Sequence, residues 1–590
     1  MLPAASVAAV LALITSCIAC GAAPFTILRS GERFSLMDPN GQPFFSLGVC
    51  VVTQGDSREN FDPENPPYAA WQQYARPEAW ADATLRRLAD WKFTTVGGWS
   101  DYKTLRNSTN MLRAFTPVLH IGSTAGAPWW DMWDPKNIRR MEDVARTQIL
   151  KYRDDPRLLG YYTDNELGWW NATLWKMTLE QSPTSGQRKR LVQLLRDAYQ
   201  NDWTKLEKDF VPENAASWRE LQKHGMLFVR PGGRGIRVMR EFLAMIADRY
   251  YQLTRDIIRK YDRRALILGD RYQSFYYPEV ARAAAKYVDA ISSNLNAHWN
   301  DGTFLRCYLD TLHRLTGKPI LISEFYMAAM ENTSGNKNSQ GIFPTVTTQT
   351  ERAAAARRTL QDLCAVPYVI GIDWFQHHDE PRHGRADGEN FNFGLLDISD
   401  RPYPELTDMF ARFDCKRVPL PRPDASQGIP PAPADPLQDF TAMKALRHWD
   451  RDRGFVKPNS EFPIADLYVC WKTNTVYLAV YGWDLIEDAF YSGRSVPKND
   501  RPLWTINCNP PVRARLGAGR EPIVSDPAIT VHNLSGLNLL VRNIAVIELP
   551  AARFGKPQFT SGDSIELSST LLTHGEAYRM DWTGRFRLSD

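Results

Sequence analysis

Net charge is nearly absent from this chain of 590 residues: 71 Lys and Arg stand against 67 Asp and Glu, leaving +4. A nucleic-acid partner calls for a concentrated basic face, and the balance argues against one. Cysteine is also scarce. Past the first 23 residues only six remain, at 50, 307, 364, 415, 470 and 508, and no two of them have CxxC spacing. That argues against a zinc knuckle or a dithiol redox motif. Cys470 and Cys508 share the C-terminal part and are a candidate disulfide pair, with buried thiols as the alternative. No HExxH occurs. The glycine-rich stretch 230–235 (RPGGRG) has no strand before it and no GK[ST] after it. It therefore reads as an arginine-bearing loop rather than a phosphate cradle. Beyond the leader no apolar run is long enough to span a membrane, so no membrane span is expected.

Aromatic residues, by contrast, are plentiful. There are 19 Trp and 23 Tyr, and several Trp sit in turn-like contexts (Trp99, Trp129, Trp130, Trp169, Trp170, Trp299). Core filling accounts for most of them. The apolar face of a sugar ring is the other surface that suits indole. Residues 2–19 form an uncharged apolar run followed by small residues, CGAAP at 20–24. This has the form of a secretory signal over 1–23, although no Lys or Arg stands near Met1. ITSC at 14–17 has the form of a bacterial lipoprotein box, which would make Cys17 a lipid anchor. Export implies a secreted, periplasmic or cell-surface protein.

Taken in order, the chain opens with a β-hairpin region at 25–45, turning at 38–41 (DPNG). Strands are then expected at 44–52, 93–99, 114–122, 158–162, 265–269, 288–293, 318–323 and 368–374, mostly alternating with helical segments. Such alternation implies parallel strands with helical crossovers, and eight units imply a (β/α)8 TIM barrel over 24–415. A mostly helical insertion is expected at about 174–261. Seven prolines between 418 and 436 mark a stiff, extended linker over 416–436. Beyond it, 437–590 reads as strands with little helical signal, an all-β sandwich.

In a barrel of this kind the chemistry sits where strands end. Strand four runs directly into Asp164, Asn165 and Glu166; strand seven ends at Glu324. Consecutive polar groups at a strand end are costly to bury without partners, and make sense facing a solvent-filled site. Two facing carboxylates are the minimum set for cleaving a glycosidic bond, one protonating the leaving oxygen and the other attacking the anomeric carbon or activating water. Asn165 can donate to a sugar hydroxyl. Arg271 after strand five, Asn294, Asn296 and His298 after strand six, and Trp374, Gln376, Glu389 and Asn390 after strand eight are the candidate substrate-binding residues. Trp374 is expected to stack under a sugar ring. Asp164 reads as structural. His377, His378, Asp379, Glu380 and His383 are dense enough to suggest a metal, but adjacent histidines suit one ion poorly. A substrate-lining loop is the preferred reading, with no metal and no cofactor.

Asn165-Glu166 and Glu324 at these strand ends resemble the large clan of retaining (β/α)8 glycoside hydrolases. Within that clan, 159–170 (LGYYTDNELGWW), 321–335 (LISEFYMAAMENTSG) and 371–405 (GIDWFQHHDEPRHGRADGENFNFGLLDISDRPYPE) resemble β-agarases, with β-galactosidases next nearest. The resemblance covers about 44–413. It implies that Glu166 is the acid/base, that Glu324 is the nucleophile, and that a galactose-containing polysaccharide or oligosaccharide is the substrate. The alternatives are a β-galactosidase-type exo-enzyme and a non-catalytic glycan-binding protein. The stretch 465–484 (ADLYVCWKTNTVYLAVYGWD) resembles carbohydrate-binding modules of the family-nine type. A purely structural β-unit, with Trp449, Trp471, Trp483 and Trp504 in its core, is the competing reading there.

Overall fold

The structure, a computed structural model, describes residues 23–273, 275–295, 306–339, 343–418, 428–437, 448–517, 520–533 and 542–590. The predicted leader and Cys17 lie outside the described residues, as do Asn296, His298 and Trp299. An antiparallel ribbon of Thr26–Ser30, Arg33–Met37 and Pro43–Phe44 comes first. Its 38–41 turn is tied by the Asp38 carboxylate, which accepts the N–H groups of Asn40 and Gln42, both at 2.9 Å.

Eight strands then alternate with helices. They are β1 (Ser46–Val49), β2 (Thr95–Val96), β3 (Ala114–Phe115), β4 (Gly160–Tyr161), β5 (Leu266–Ile267), β6 (Ile291–Asn294), β7 (Ile320–Phe325) and β8 (Val369–Trp374). After each comes its helix: α1 (Pro77–Asp90), α2 (Tyr102–Leu105), α3 (Pro135–Tyr152), α4 (Ile236–Tyr261), α5 (Pro278–Ala284), α6 (Tyr308–Thr316), α7 (Gln349–Cys364) and α8 (Pro404–Arg412). Parallel pairing runs β6-β7-β8-β1-β2-β3. β4 and β5 pair in parallel. Parallel bridges Phe115–Leu158 and Val118–Tyr162 join β3 to β4. The N–H groups of Asp289 and Ala290 donate to Ile267, joining β5 to the approach of β6.

Several ladders are shorter than the apolar runs suggest. β3, expected over 114–122, pairs as a strand only at Ala114–Phe115, because Pro117 has no N–H to give and Ile121–Ala125 is already helical. Between the strands the interior is partly polar. Ser46 and Thr95 hydroxyls meet at 2.8 Å, and Tyr162 donates to Asp373 at 3.3 Å. Gly48 makes room for that aspartate: a Cβ there would stand 2.1 Å from Asp373 Oδ1.

The insertion between β4 and α4 holds helices Asn171–Glu180, Gly186–Ala198, Trp203–Leu206 and Trp218–Lys223. It also holds an antiparallel hairpin, Phe210–Glu213 with Met226–Val229, within the mostly helical pattern, and its second strand runs directly into the 230–235 loop, where no strand was expected. The final part of the predicted insertion is α4 itself, the crossover helix. It buries Met239, Phe242, Leu243, Ile246, Tyr250, Leu253 and Ile257 along one stripe.

Two five-stranded antiparallel sheets complete the chain. One runs Phe455–Val456, Ala465–Lys472, Thr475–Trp483, Arg542–Pro550, Val531–Asn533; the other Ile523–Val524, Val512–Arg515, Leu503–Ile506, Ser564–Thr573, Tyr578–Arg587. Trp449 and Trp504 are buried, while Trp471 and Trp483 are half-buried. The described end of the proline-rich stretch is not a free spacer. Ile429 bonds to Arg587, and Pro430 and Ala432 bond to Trp471, so it runs along both sheets. Among the described residues no helix is long and apolar enough to cross a membrane.

The disulfide joins Cys364, at the end of α7, to Cys415, just past α8, with Cα atoms 5.4 Å apart. Of the two readings of Cys470 and Cys508 the thiols hold: Cys470 is buried in one sheet, and Cys508 follows a strand of the other. The bridge closes a loop of 51 residues, for which chain entropy predicts about 4 kcal/mol of stabilisation. Cys364→Ser should lower the unfolding free energy by up to that amount. Denaturant melts with and without reductant check this, and a wild type indifferent to reductant would contradict it.

Candidate functional site

The loop after β4 is pinned before it reaches Glu166. Asp164, fully buried, accepts from the N–H groups of Gly122 (2.8 Å) and Ser123 (2.9 Å), from the Ser123 hydroxyl (2.7 Å) and from Tyr250 (2.6 Å). It is structural, capping the start of Ile121–Ala125. Glu166 itself is left-handed at φ 45°, and its N–H donates to the carbonyls of Asp270 (3.1 Å) and Arg271 (3.3 Å).

Arg271 is the hub. Its guanidinium is fully enclosed, between the rings of Trp99 (4.3 Å) and Tyr162 (4.8 Å). Nη2 pairs with Glu324 Oε1 at 2.6 Å and donates to the Ser323 carbonyl at 3.1 Å; Nε donates to Asn165 Oδ1 at 2.9 Å. Asn294, also buried, donates through Nδ2 to Glu166 Oε1 (2.8 Å) and to Asn165 Oδ1 (3.2 Å), and accepts from Ser323 Oγ (2.7 Å). Gln273 donates to Glu166 Oε2 at 3.3 Å. With two donors on its carbonyl oxygen, Asn165 presents its NH2 end to the cavity.

The two carboxyls therefore lie in different surroundings. Burial raises Glu166 above the ordinary glutamate value, opposed by the Asn294 hydrogen bond and the Arg271 charge. Burial pushes Glu324 up to about 8, with Arg271 pulling against it and Glu166 adding to the rise. Arg271 in turn is held protonated by Glu324 despite its burial. We take the ion pair as the resting form, because an enclosed guanidinium left without its counter-charge would cost more.

Both carboxyls line one cavity of 820 Å³ with Asn165, Gln273, Gln376 and Glu389. Trp99, Tyr326, Phe343 and Phe375 supply its aromatic walls. A larger groove of 1210 Å³ lies between α7 and α8 and contains neither Glu166 nor Glu324.

Four of the expected substrate contacts are corrected. Trp374 has no exposed face: its indole donates to the Phe393 carbonyl at 3.0 Å, and its ring packs edge-on to Phe325 and Phe410. Arg271 and Asn294 are enclosed beneath the carboxyls, so they hold those groups rather than contact a substrate. Asn390 clips two loops together, bonding to Ser339 through its amide and to the Asn338 N–H through its carbonyl. Gln376 and Glu389 do face the cavity, with Glu389 3.0 Å from Arg385. Gln273 and Ser323 were missed. Gln273 stands two residues after Arg271, and that period-two spacing was the available signal.

The loop at His377 lines the same cavity through His378, Asp379 and Glu380, and each of these is also bonded within the protein. His378 stacks on Tyr68 at 4.3 Å. Asp379 accepts from Ser334, Tyr403 and the Gly394 N–H. Glu380 accepts from the Phe391 N–H. Among the described residues no group of three His, Cys, Asp or Glu is placed to hold a metal.

No protein-family model matches the chain. It is similar to β-agarase B of Vibrio sp. (strain JT0107), 26% identical over 358 residues, which are 57% of this chain and 36% of the relative. It is also similar to β-agarase A of the same strain, 25% identical over 480 residues, 68% of this chain and 46% of the relative. The chain thus spans less than half the length of either. Among solved structures, an exo-β-agarase superposes with a TM-score of 0.56 at 23% identity, over 67% of this chain and 65% of that one. The agarase AgWH50C does so at 0.54 and 23%, over 66% and 64%. These likenesses place the fold among agarase structures.

Arg271 lowers the Glu324 carboxyl against burial, so its removal should raise it. In Arg271→Met, the Glu324 carboxyl followed by carbon-13 NMR should titrate at higher pH than in the wild type. An unchanged or lower value would contradict the pairing.

Proposed function

We propose that the chain is a retaining glycoside hydrolase that cleaves a galactose-containing polysaccharide or oligosaccharide, of the agarose type, by double displacement. The observation that carries the reading is the unlike pair of carboxyls in one cavity: Glu324 bound to an enclosed cation, Glu166 bound only to neutral amides. The substrate class is supported by the likeness to the two β-agarases.

In the first step Glu324, kept ionised by Arg271, attacks the anomeric carbon. Glu166, its proton retained by burial, protonates the departing oxygen. In the second step Glu166, now a carboxylate, takes a proton from water. That water displaces Glu324 from the anomeric carbon with a second inversion, so the product keeps the starting configuration. Asn165 donates to a ring hydroxyl beside the reacting carbon. Trp99, Tyr326, Phe343 and Phe375 offer apolar faces to sugar rings.

The architecture this requires is a closed (β/α)8 barrel over 24–415, with both carboxyls at the C-terminal ends of β4 and β7. Supporting it, each of the eight strands is hydrogen-bonded or bridged to two parallel neighbours, including the β3–β4 and β5–β6 contacts. The two antiparallel sheets are read as a sandwich over 437–590. The apolar leader at 1–23, with Cys17 as its lipid-bearing candidate, supports export to the periplasm, the cell surface or the medium.

The test is hydrolysis of a panel of neutral galactans and their oligosaccharides. Glu324→Gln should abolish turnover, and Glu166→Gln should lose roughly 10²–10⁴-fold. Equal cleavage by the wild type and Glu324→Gln would overturn the mechanism. A wild type that binds galactans but cleaves none would favour the glycan-binding alternative.

A further inference from the structure

Helix Asn171–Glu180 begins five residues after Glu166, and it has no cap of its own: Trp170 stands at its N-cap and offers no side-chain acceptor. The helix's first amides are taken instead by Glu487, more than 300 residues later in the chain. Glu487 Oε1 accepts the Ala172 N–H at 2.8 Å; Oε2 accepts the Thr173 N–H and the Thr173 hydroxyl, both at 2.9 Å. A carboxylate there also meets the positive end of the helix dipole.

The segment bearing Glu487 is itself held. It follows strand Thr475–Trp483, and the buried His574 ring hydrogen-bonds to the Leu485 carbonyl at 3.2 Å. Tyr277, Phe462, Phe490 and Tyr578 surround that ring. The same sheets grip the far end of the insertion, where Asp500 accepts the Gly232 N–H at 2.8 Å, and α5, where Tyr578 donates to Glu279 at 2.9 Å.

At the other end of the short connection the Glu166 N–H is tied to the Asp270 and Arg271 carbonyls. Between the two ends Glu166 and Gly168 are both left-handed, at φ 45° and 59°, and Trp169 donates to Asp270 at 2.8 Å. Glycine adopts that conformation freely, but the left-handed Glu166 is strained and persists only where its surroundings impose it. We infer that Glu487 is a positioning residue for Glu166, and that the C-terminal sheets form part of the catalytic apparatus rather than a detachable sugar-binding module. This rests on Glu166 being the proton donor.

The test compares the wild type, Glu487→Ala and Glu487→Gln on two substrates. One is an oligosaccharide that the wild type cleaves; the other is a dinitrophenyl glycoside of the same sugar, whose leaving group needs no proton. Glu487→Ala should lower kcat/KM on the oligosaccharide, which reports the first displacement, about tenfold to a hundredfold, and leave kcat/KM on the glycoside near wild type. Glu487→Gln, which keeps the packing and one acceptor oxygen, should fall between. Equal loss on both substrates, or none on either, would overturn the inference. If the alanine variant does not fold, the glutamine variant decides: loss confined to the oligosaccharide supports positioning, and equal or absent loss overturns it. Cleavage of the oligosaccharide by Glu166→Gln at the wild-type rate would overturn the assignment of Glu166 and this inference with it.

Discussion

One buried ion pair organises this site. Arg271 is closed off between two aromatic rings and joined to Glu324, and it reaches Asn165 with its remaining Nε–H. Removing one partner from such a pair costs roughly 3–5 kcal/mol, because the other charge stays behind unpaired. The neighbouring polar groups are therefore tightly constrained. Asn165 must present its oxygen inward to meet Arg271 and Asn294, Asn294 must face Glu166, and Ser323 must support Asn294. A set of short bonds thus gives two glutamates different surroundings within one cavity. The proposed double displacement rests on that difference.

The backbone bears part of the cost. Val51, Trp99, His120, Glu166 and Arg271 all have φ between 45° and 56°, and each lies shortly past the end of β1, β2, β3, β4 or β5. None is glycine, so each is strained by roughly 1 kcal/mol or more. The arrangement is costly unless the surroundings impose it. The surroundings here include the Asp164 network beneath, the indole of Trp169 on Asp270, and the Glu487 cap reaching over from the C-terminal sheets. Stability and function are coupled through these contacts.

Much of this was legible in the residues. Alternating apolar runs and helical spacing located all eight strands, since a buried parallel strand must be apolar on both faces. Glu166 and Glu324 stood out because polar residues followed such strands without a turn. The burial of Trp374 follows from the alternation of side chains along a strand. Asp373 points inward towards the polar interior, so its neighbour must point outward, and Trp374 packs on Phe410 of α8. Arg271 and Asn294 were legible as site residues, but their depth below the cavity floor is a property of the folded chain and not of local pattern. The hairpin Phe210–Glu213 with Met226–Val229 was hidden within helical surroundings. The Cys364–Cys415 bridge depends on how α7 meets the end of α8, and no spacing rule reveals it.

The central claim is that Glu324, held ionised by Arg271, forms a bond to the sugar. Incubation with a 2-deoxy-2-fluoro galactoside carrying a good leaving group tests this most directly, because the fluorine slows both displacements and the leaving group speeds only the first, so the covalent intermediate accumulates. Intact-mass and peptide analysis should show one added fluorosugar, attached to Glu324 in the peptide containing Ile320–Phe325. A protein that turns over galactosides yet takes up no label, or takes it up on another residue, would contradict the account.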